Sequence, residues 1–204
     1  AFYSAGKTKL YVSYNPNAQS GSHNYTTSLY EQNTLLQSGW KYGKVSFYVS
    51  KAGPTPSTEM RPMSGNYWQF SSELGSYPVL SRYTNLSIEV SIAKNRTYLK
   101  ANHSVIYTFY SSAGVNTTTP QGNYAIQAEL SPHFYNSTER MGANYAVSWF
   151  QHGIYLFHSV PVDYKGNYIT SEAIKLGKSP SSHGCVRLSV ADSYWLYTQA
   201  CSGA

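Results

Sequence analysis

Charge is scarce in this chain. Of 204 residues, 15 are Lys or Arg and 9 are Asp or Glu, so only 12% are charged, against about 25% in an average globular domain. Cysteine is scarcer: Cys185 and Cys201 are the only two, with no Cys-x-x-Cys pair. That excludes a disulfide framework and the usual structural zinc spacings. No long hydrophobic run exists either. The most apolar stretch, residues 146–160, is broken by Gln151, His152 and His158 and is too short for a transmembrane helix. The excess of base over acid gives +6. Its lysines and arginines are scattered, so an anionic surface is a better expected partner than nucleic acid.

Aromatic residues stand in place of charge. There are 21 Tyr, 7 Phe and 4 Trp, and 41% of residues are hydrophobic. Disordered chains have few aromatics and low hydrophobicity, so this chain is expected to bury a core. With so few ions, its surface must be wetted by Ser, Thr, Asn, Gln and Tyr hydroxyl groups. That balance suits a secreted β-protein. The chain begins at Ala1 without Met, as a processed or trimmed form would.

Hydrophobic periodicity predicts mostly short strands. Alternation marks residues 9–14, 44–50, 86–92, 97–100 and 104–110, with further candidates at 67–70, 124–130 and 145–150. Residues 153–160 (GIYLFHSV) are apolar on both faces and are expected to be a central strand. Turn signals at residues 52–56 and 119–122 divide these strands. A short helix is possible at 28–36. Another is expected after Ser189-x-x-Asp192, where Val190, Tyr194 and Tyr197 follow helical spacing. Asp192 is read as part of that helix cap. Organisation changes near residue 84, giving an expected N-terminal β-rich module at 1–83 and a second domain at 84–204.

The chemistry points to Ser182-His183-Gly184-Cys185-Val186-Arg187. A free thiol is only a few per cent ionised at neutral pH. A neighbouring imidazole, cation or free N–H group increases that fraction. His183 and Arg187 are candidates, and Gly184 allows a tight turn in which N–H groups converge on an oxyanion. His158, at the end of the central strand and on one face with Ile154 and Leu156, is a candidate general base. Two other readings stay open on residues alone. Cys185 is an ordinary small core residue, or His158, His183, Cys185 and Cys201 bind zinc. A Cys185–Cys201 disulfide would silence the thiol.

The Ser-His-Gly-Cys-Val-Arg run, with Phe157-His158-Ser159 upstream, resembles the L,D-transpeptidase catalytic domain, the YkuD type. The Thr119-Pro120-Gln121-Gly122 turn, Leu176-Gly177 and Asp192-x-x-Trp195-Leu196-Tyr197 agree with it, over roughly residues 84–200. The resemblance implies a mainly β fold: a β-sandwich with a short C-terminal helix, here preceded by the β-rich module. It implies acyl transfer on peptidoglycan stem peptides outside the cytoplasmic membrane, with no cofactor and no metal. Cys185 would be the nucleophile and His158 the base, oriented by the Ser159 carbonyl. His183 would shape the site, and N–H groups of Gly184 and Cys185 would form the oxyanion hole. Arg187 would hold a substrate carboxylate, with Ser182, Met141 and Tyr145 at the groove.

Two features depart from the family pattern. The interval from His158 to Ser182 is long, so residues 163–175 are expected to contribute to a lid. His152-Gly153 competes with His158-Ser159 as the first motif element. Cleavage of the same bond with water as acceptor, or a non-catalytic wall-binding role, remains as an alternative. Residues 1–83 are either a wall-binding module or an extension of the same domain.

Overall fold

The structure, a computed structural model, describes residues 8–18, 23–49 and 59–203. The turn expected at residues 52–56 lies outside them. The chain divides into two compact units, Ala1–Thr55 and Pro56–Ala204.

In the first unit, β1 (Thr8–Tyr14) lies between β2 (His23–Thr26) and β3 (Lys41–Val49), all antiparallel. The helix α1 (Leu29–Gln37) joins β2 to β3. Ser28 caps it by accepting the Glu31 N–H at 3.2 Å, which satisfies one of the free donors of its first turn. Glu31 reaches back to Asn24 and Thr26, tying the helix to the end of β2.

The second unit is built on seven strands in the order β4 (Leu86–Ser91), β5 (Arg96–Ala101), β6 (Ser104–Ser112), β10 (Val186–Leu188), β9 (Tyr155–Ser159), β8 (Met141–Phe150) and β7 (Leu130–Asn136). All pairs are antiparallel except β9 with β10. Leu99, Tyr107 and Phe109 from β5 and β6 share one buried cluster with Val147, Trp149, Phe157, Val186 and Leu188 from β8, β9 and β10. Ile88 of β4 and Leu130 of β7, from the two edges of the ladder, pack against the same cluster. The ladder therefore curls around one core, which gives the expected two-layered β architecture. Leu196 closes the core from α3 (Val190–Cys201), whose N-cap Ser189 accepts the Asp192 N–H at 3.0 Å. The four-residue α2 (Thr170–Ala173) lies between β9 and β10. Among the described residues no helix is long and apolar enough to cross a membrane.

Three local expectations change. Residues 67–70 form a 3-10 turn, Tyr67–Gln69, rather than a strand. Its Tyr67 and Trp68 are buried in a second cluster with Tyr110, Val160, Ala173 and Leu176, so burial rather than pairing accounts for their apolar character. Residues 124–129 form no strand, and β7 starts only at Leu130. The third is the division expected near residue 84. The chain runs on from residue 59 into the second unit, where Ser72 and Tyr77 bond to the buried Asp192 of α3 and Glu73 accepts the Thr108 N–H of β6. The packing boundary therefore lies between Thr55 and Pro56.

Candidate active site

The parallel β9–β10 pair places the reactive residues. Val186 lies opposite Phe157, and Arg187 lies opposite His158. Successive strand residues point to opposite faces. Phe157, Val186 and Leu188 enter the core, which turns His158 and Arg187 to the other face. There a cleft of about 720 Å³ is lined by Cys185, His158, Arg187, Ser182, His183, Gly184 and Met141. Cys185 lies in the bend just before β10 and opens onto the same cleft. A larger groove, about 1010 Å³, opens over Phe157, Val186 and Trp149 on the core side. It contains neither the thiol nor a histidine, so its size says nothing about the chemistry.

His158 is 7% exposed. Its Nδ1 lies 2.7 Å from the Ser159 carbonyl oxygen. That oxygen can only accept, so Nδ1 carries the proton and Nε2 keeps its lone pair. Burial pushes the imidazole pKa down to about 4; the Ser159 bond opposes this and the Arg187 charge adds to it. His158 is thus a neutral imidazole with a free acceptor nitrogen. Cys185 is partly exposed and unbridged, as is Cys201, which ends α3. Burial raises the Cys185 thiol pKa, opposed by the Leu156 backbone N–H and the charge of Arg187. The thiol donates to the Ile154 carbonyl at 3.6 Å. The resting pair is therefore thiol and neutral imidazole, with both protons defined.

The loop before Cys185 is held by its own hydrogen bonds. Ser182, 3% exposed, donates to the Cys185 carbonyl at 2.5 Å and accepts the Gly184 N–H at 3.1 Å. Its hydroxyl therefore shapes the loop. The same bond occupies the Gly184 N–H that was expected in the oxyanion hole. Gly184 has φ +143°, and a Cβ there would lie 2.8 Å from the Tyr155 ring. Thr119, from the Thr-Pro-x-Gly turn, is 4% exposed. It accepts the Gly114 N–H at 2.7 Å and donates to the Gly184 carbonyl at 2.8 Å. The sequence motif marked this residue but not its role as a buttress of the thiol loop.

Other predicted residues are redistributed. His183 sits at the rim, with Nδ1 3.2 Å from Glu139. Tyr145 is not at the groove; its ring packs on Tyr194 and Tyr197 of α3, at 5.0 and 6.0 Å between centroids. The backbone at Tyr145 is left-handed, with φ 60°. His152 lies in the turn before β9, with φ 45°, and its Nδ1 is 2.8 Å from Glu129. It is therefore off the strand on which it was expected, and it does not line the cleft. Nor do residues 163–175 line it. Ala173 is fully buried in the second cluster, so the end of this insert is packed wall and not lid. The insert instead supplies Glu172, whose Oε2 accepts from Arg187 Nη1 at 2.8 Å. Nothing in the sequence pattern singled out that glutamate.

Comparison with known proteins places both parts of the sequence. A domain of unknown function (DUF5648) matches residues 1–50. The chain is 37% identical over 127 residues to "Putative L,D-transpeptidase YciB" of Bacillus subtilis, covering 60% of this chain and 64% of YciB. It thus spans less than two thirds of that relative. Among solved structures, an L,D-transpeptidase from Mycobacterium smegmatis has 19% identity and a TM-score of 0.44, covering 55% of this chain and 53% of that one. One from Mycobacterium tuberculosis H37Rv has 20% identity and a TM-score of 0.44, covering 55% and 52%. The L,D-transpeptidase catalytic domain model, YkuD, matches residues 85–203. That stretch holds the thiol loop, His158, the Thr119 buttress and all seven strands of the curled sheet, and through it the chain belongs to the L,D-transpeptidase catalytic domain family.

Proposed function

We propose that the protein is a peptidoglycan L,D-transpeptidase that acts outside the cytoplasmic membrane and forms 3→3 cross-links. The observation that carries this reading is the shared face of β9 and β10. The cleft on that side is lined by Cys185 and by a histidine whose tautomer leaves Nε2 open to receive a proton.

In the first half-reaction the thiol proton passes to His158 Nε2. Cys185 Sγ then attacks the carbonyl carbon at the L-centre of the third stem residue. The Cys185 N–H is the remaining backbone donor for the oxyanion, because the Gly184 N–H is bonded to Ser182. The C–N bond breaks, and the terminal D-Ala leaves with the proton from His158. In the second half-reaction the side-chain amine of another stem's third residue attacks the thioester. Its proton passes to His158 and then to the departing thiolate, which restores the resting pair. Water in place of the amine gives the hydrolytic alternative through the same thioester.

Stem tetrapeptides, analysed by mass spectrometry, test the proposal. The expected products are a covalent acyl-enzyme on Cys185, released D-Ala and a cross-linked dimer. Free tripeptide without dimer would make the enzyme a carboxypeptidase. Full activity in Cys185→Ala, or no adduct with either stem peptide or carbapenem, would end the enzyme reading and leave wall binding. The diffuse +6 charge supports attraction to anionic wall polymers, and that binding should weaken with added salt.

A further inference from the structure

We infer that Glu172 is a positioning residue: it fixes Arg187 as a cation beside Cys185 and His158, and the pair sets the proton balance between those two groups. This rests on reading Cys185 as the nucleophile.

Three observations carry it. First, β-ladder register puts Arg187 directly opposite His158, and both line one cleft with Cys185, which precedes the strand. Second, Arg187 is only 4% exposed. One guanidinium nitrogen is bonded to Glu172 at 2.8 Å, while Nε is buried without a partner. A side chain held in this way is placed to act through its field, which changes the role expected from the sequence, that of a clamp on substrate carboxylate. Third, Glu172 is itself held, because Lys175 Nζ donates to its other oxygen at 2.5 Å. A buried cation needs such a counter-charge, since an unpaired one is strongly destabilising.

The sign of the effect follows. A fixed positive charge favours thiolate over thiol and opposes imidazolium. Arg187 accordingly acts to lower the pKa of both Cys185 and His158. Glu172 partly cancels that field and prevents over-activation of the thiol. The other ionisable groups lining the cleft are Glu129, Tyr135, Glu139, Tyr155 and His183; they stay unchanged in the variants below.

The test reads the pH dependence of Cys185 alkylation by iodoacetamide, followed by peptide mass spectrometry in a Cys201→Ser background. Glu172→Gln keeps an oxygen acceptor but removes the negative charge. Its midpoint should move down by about half a unit, making alkylation at pH 7 about threefold faster. Arg187→Gln removes the cation beside the thiol while Glu172 stays, and should move the midpoint up by about one unit, or about tenfold slower. Lys175→Met, at a half-exposed position, strengthens the Glu172 field and should give a smaller upward shift. It supplies the opposite sign if Arg187→Gln does not fold. A Glu172→Gln shift in the same direction as Arg187→Gln or Lys175→Met, or no shift, in variants with native circular dichroism would overturn the inference and leave a packing role. Alkylation needs no stem peptide. Opposed shifts without transpeptidation would sink the proposed function alone, whereas transpeptidation without opposed shifts would sink this inference alone.

Discussion

Removing one hydroxyl far from the thiol should show that the catalytic unit extends back beyond the family match. Asp192, fully buried, accepts from the Ser72 N–H at 3.2 Å, Ser72 Oγ at 2.5 Å, Tyr77 OH at 2.7 Å and Tyr107 OH at 3.2 Å. Two of these partners, Ser72 and Tyr77, precede residue 85. Tyr77→Phe keeps the ring stacked on Trp195, with centroids 4.9 Å apart and planes at 8°, and deletes only the donor. Losing a donor that leaves a buried acceptor unsatisfied costs about 1–3 kcal/mol. The expected loss is therefore about 2 kcal/mol. For a unit of this size that lowers Tm by roughly 4–8 °C.

The pH dependence sharpens the test. Burial raises the pKa of Asp192, and its hydrogen bonds to Ser72, Tyr77 and Ser189 oppose the rise. With a folded pKa above the unfolded one, protonation favours the folded state, and that contribution is lost as pH rises through the folded pKa. A protonated Asp192 loses only a neutral bond, worth about 1 kcal/mol, when Tyr77 OH is removed. The deficit of Tyr77→Phe should therefore shrink as pH falls. Scanning calorimetry with tryptophan fluorescence, across pH, measures this. Tyr164→Phe, at an exposed site, serves as control and should stay within about 0.5 kcal/mol. An unchanged Tm at pH 7.5, or a deficit that grows on acidification, would refute the reasoning.

Four further outcomes are expected. Gly184→Ala forces a side chain onto φ +143° and a Cβ 2.8 Å from Tyr155; acylation by a carbapenem should slow about 100-fold, since the thiol loop must shift. Thr119→Val leaves the Gly114 N–H and the Gly184 carbonyl without their partner and should cost about 2–4 kcal/mol in chemical denaturation. His152→Ala should retain acylation within about twofold, while His158→Ala loses about 100-fold or more; the reverse pattern would make His152 the base. With the free His158 pKa near 4, the acid limb of kcat/KM should fall near pH 4, well below the ordinary imidazole range, and a limb near 6.5 would contradict the buried neutral ring.

Alternation and capping were legible because they depend on neighbours in sequence. Residues 86–92, 97–100, 104–110 and 153–160 each overlap a strand, and Ser189 is the N-cap of α3. Cys185 and His158 were legible as a pair through the family motif, and both line one cleft. What escaped depends on tertiary contact. Tyr67 and Trp68 read as strand because burial in a 3-10 turn also selects large apolar residues. Tyr145 was placed at the groove by the family resemblance alone, whereas its ring packs on Tyr194 and Tyr197 of another element. Glu172 had no local signal, since its partner lies on another element. The soft boundary at residue 84 followed the loss of periodicity in 65–83. That irregular segment is nonetheless fastened by side-chain bonds that no periodicity records.

Those bonds also give a different account of the excess of tyrosine. In the second unit, Tyr67 donates to the carbonyls of Ile174 and Leu176, Tyr110 to that of Arg61, and Tyr77 and Tyr107 to Asp192. Tyr168 accepts from Asn144. Each ring adds buried apolar area, and each hydroxyl ties segments distant in sequence without the desolvation cost of an ion pair. The exposed Tyr25, Tyr30, Tyr42 and Tyr48 of the first unit form a separate population, so surface wetting explains only part of the composition. Among the described residues, the buried ionisable side chains of acid, base or histidine type are Glu73, His158, Arg187 and Asp192. The two acids of the core, Glu73 and Asp192, accept hydrogen bonds from neutral donors: Ser72, Tyr77, Tyr107 and the Thr108 N–H. The buried cation, by contrast, stands beside the thiol and has a carboxylate partner. A fold held together by hydroxyl groups can thus be poor in charge overall and still place a full charge where a proton must move.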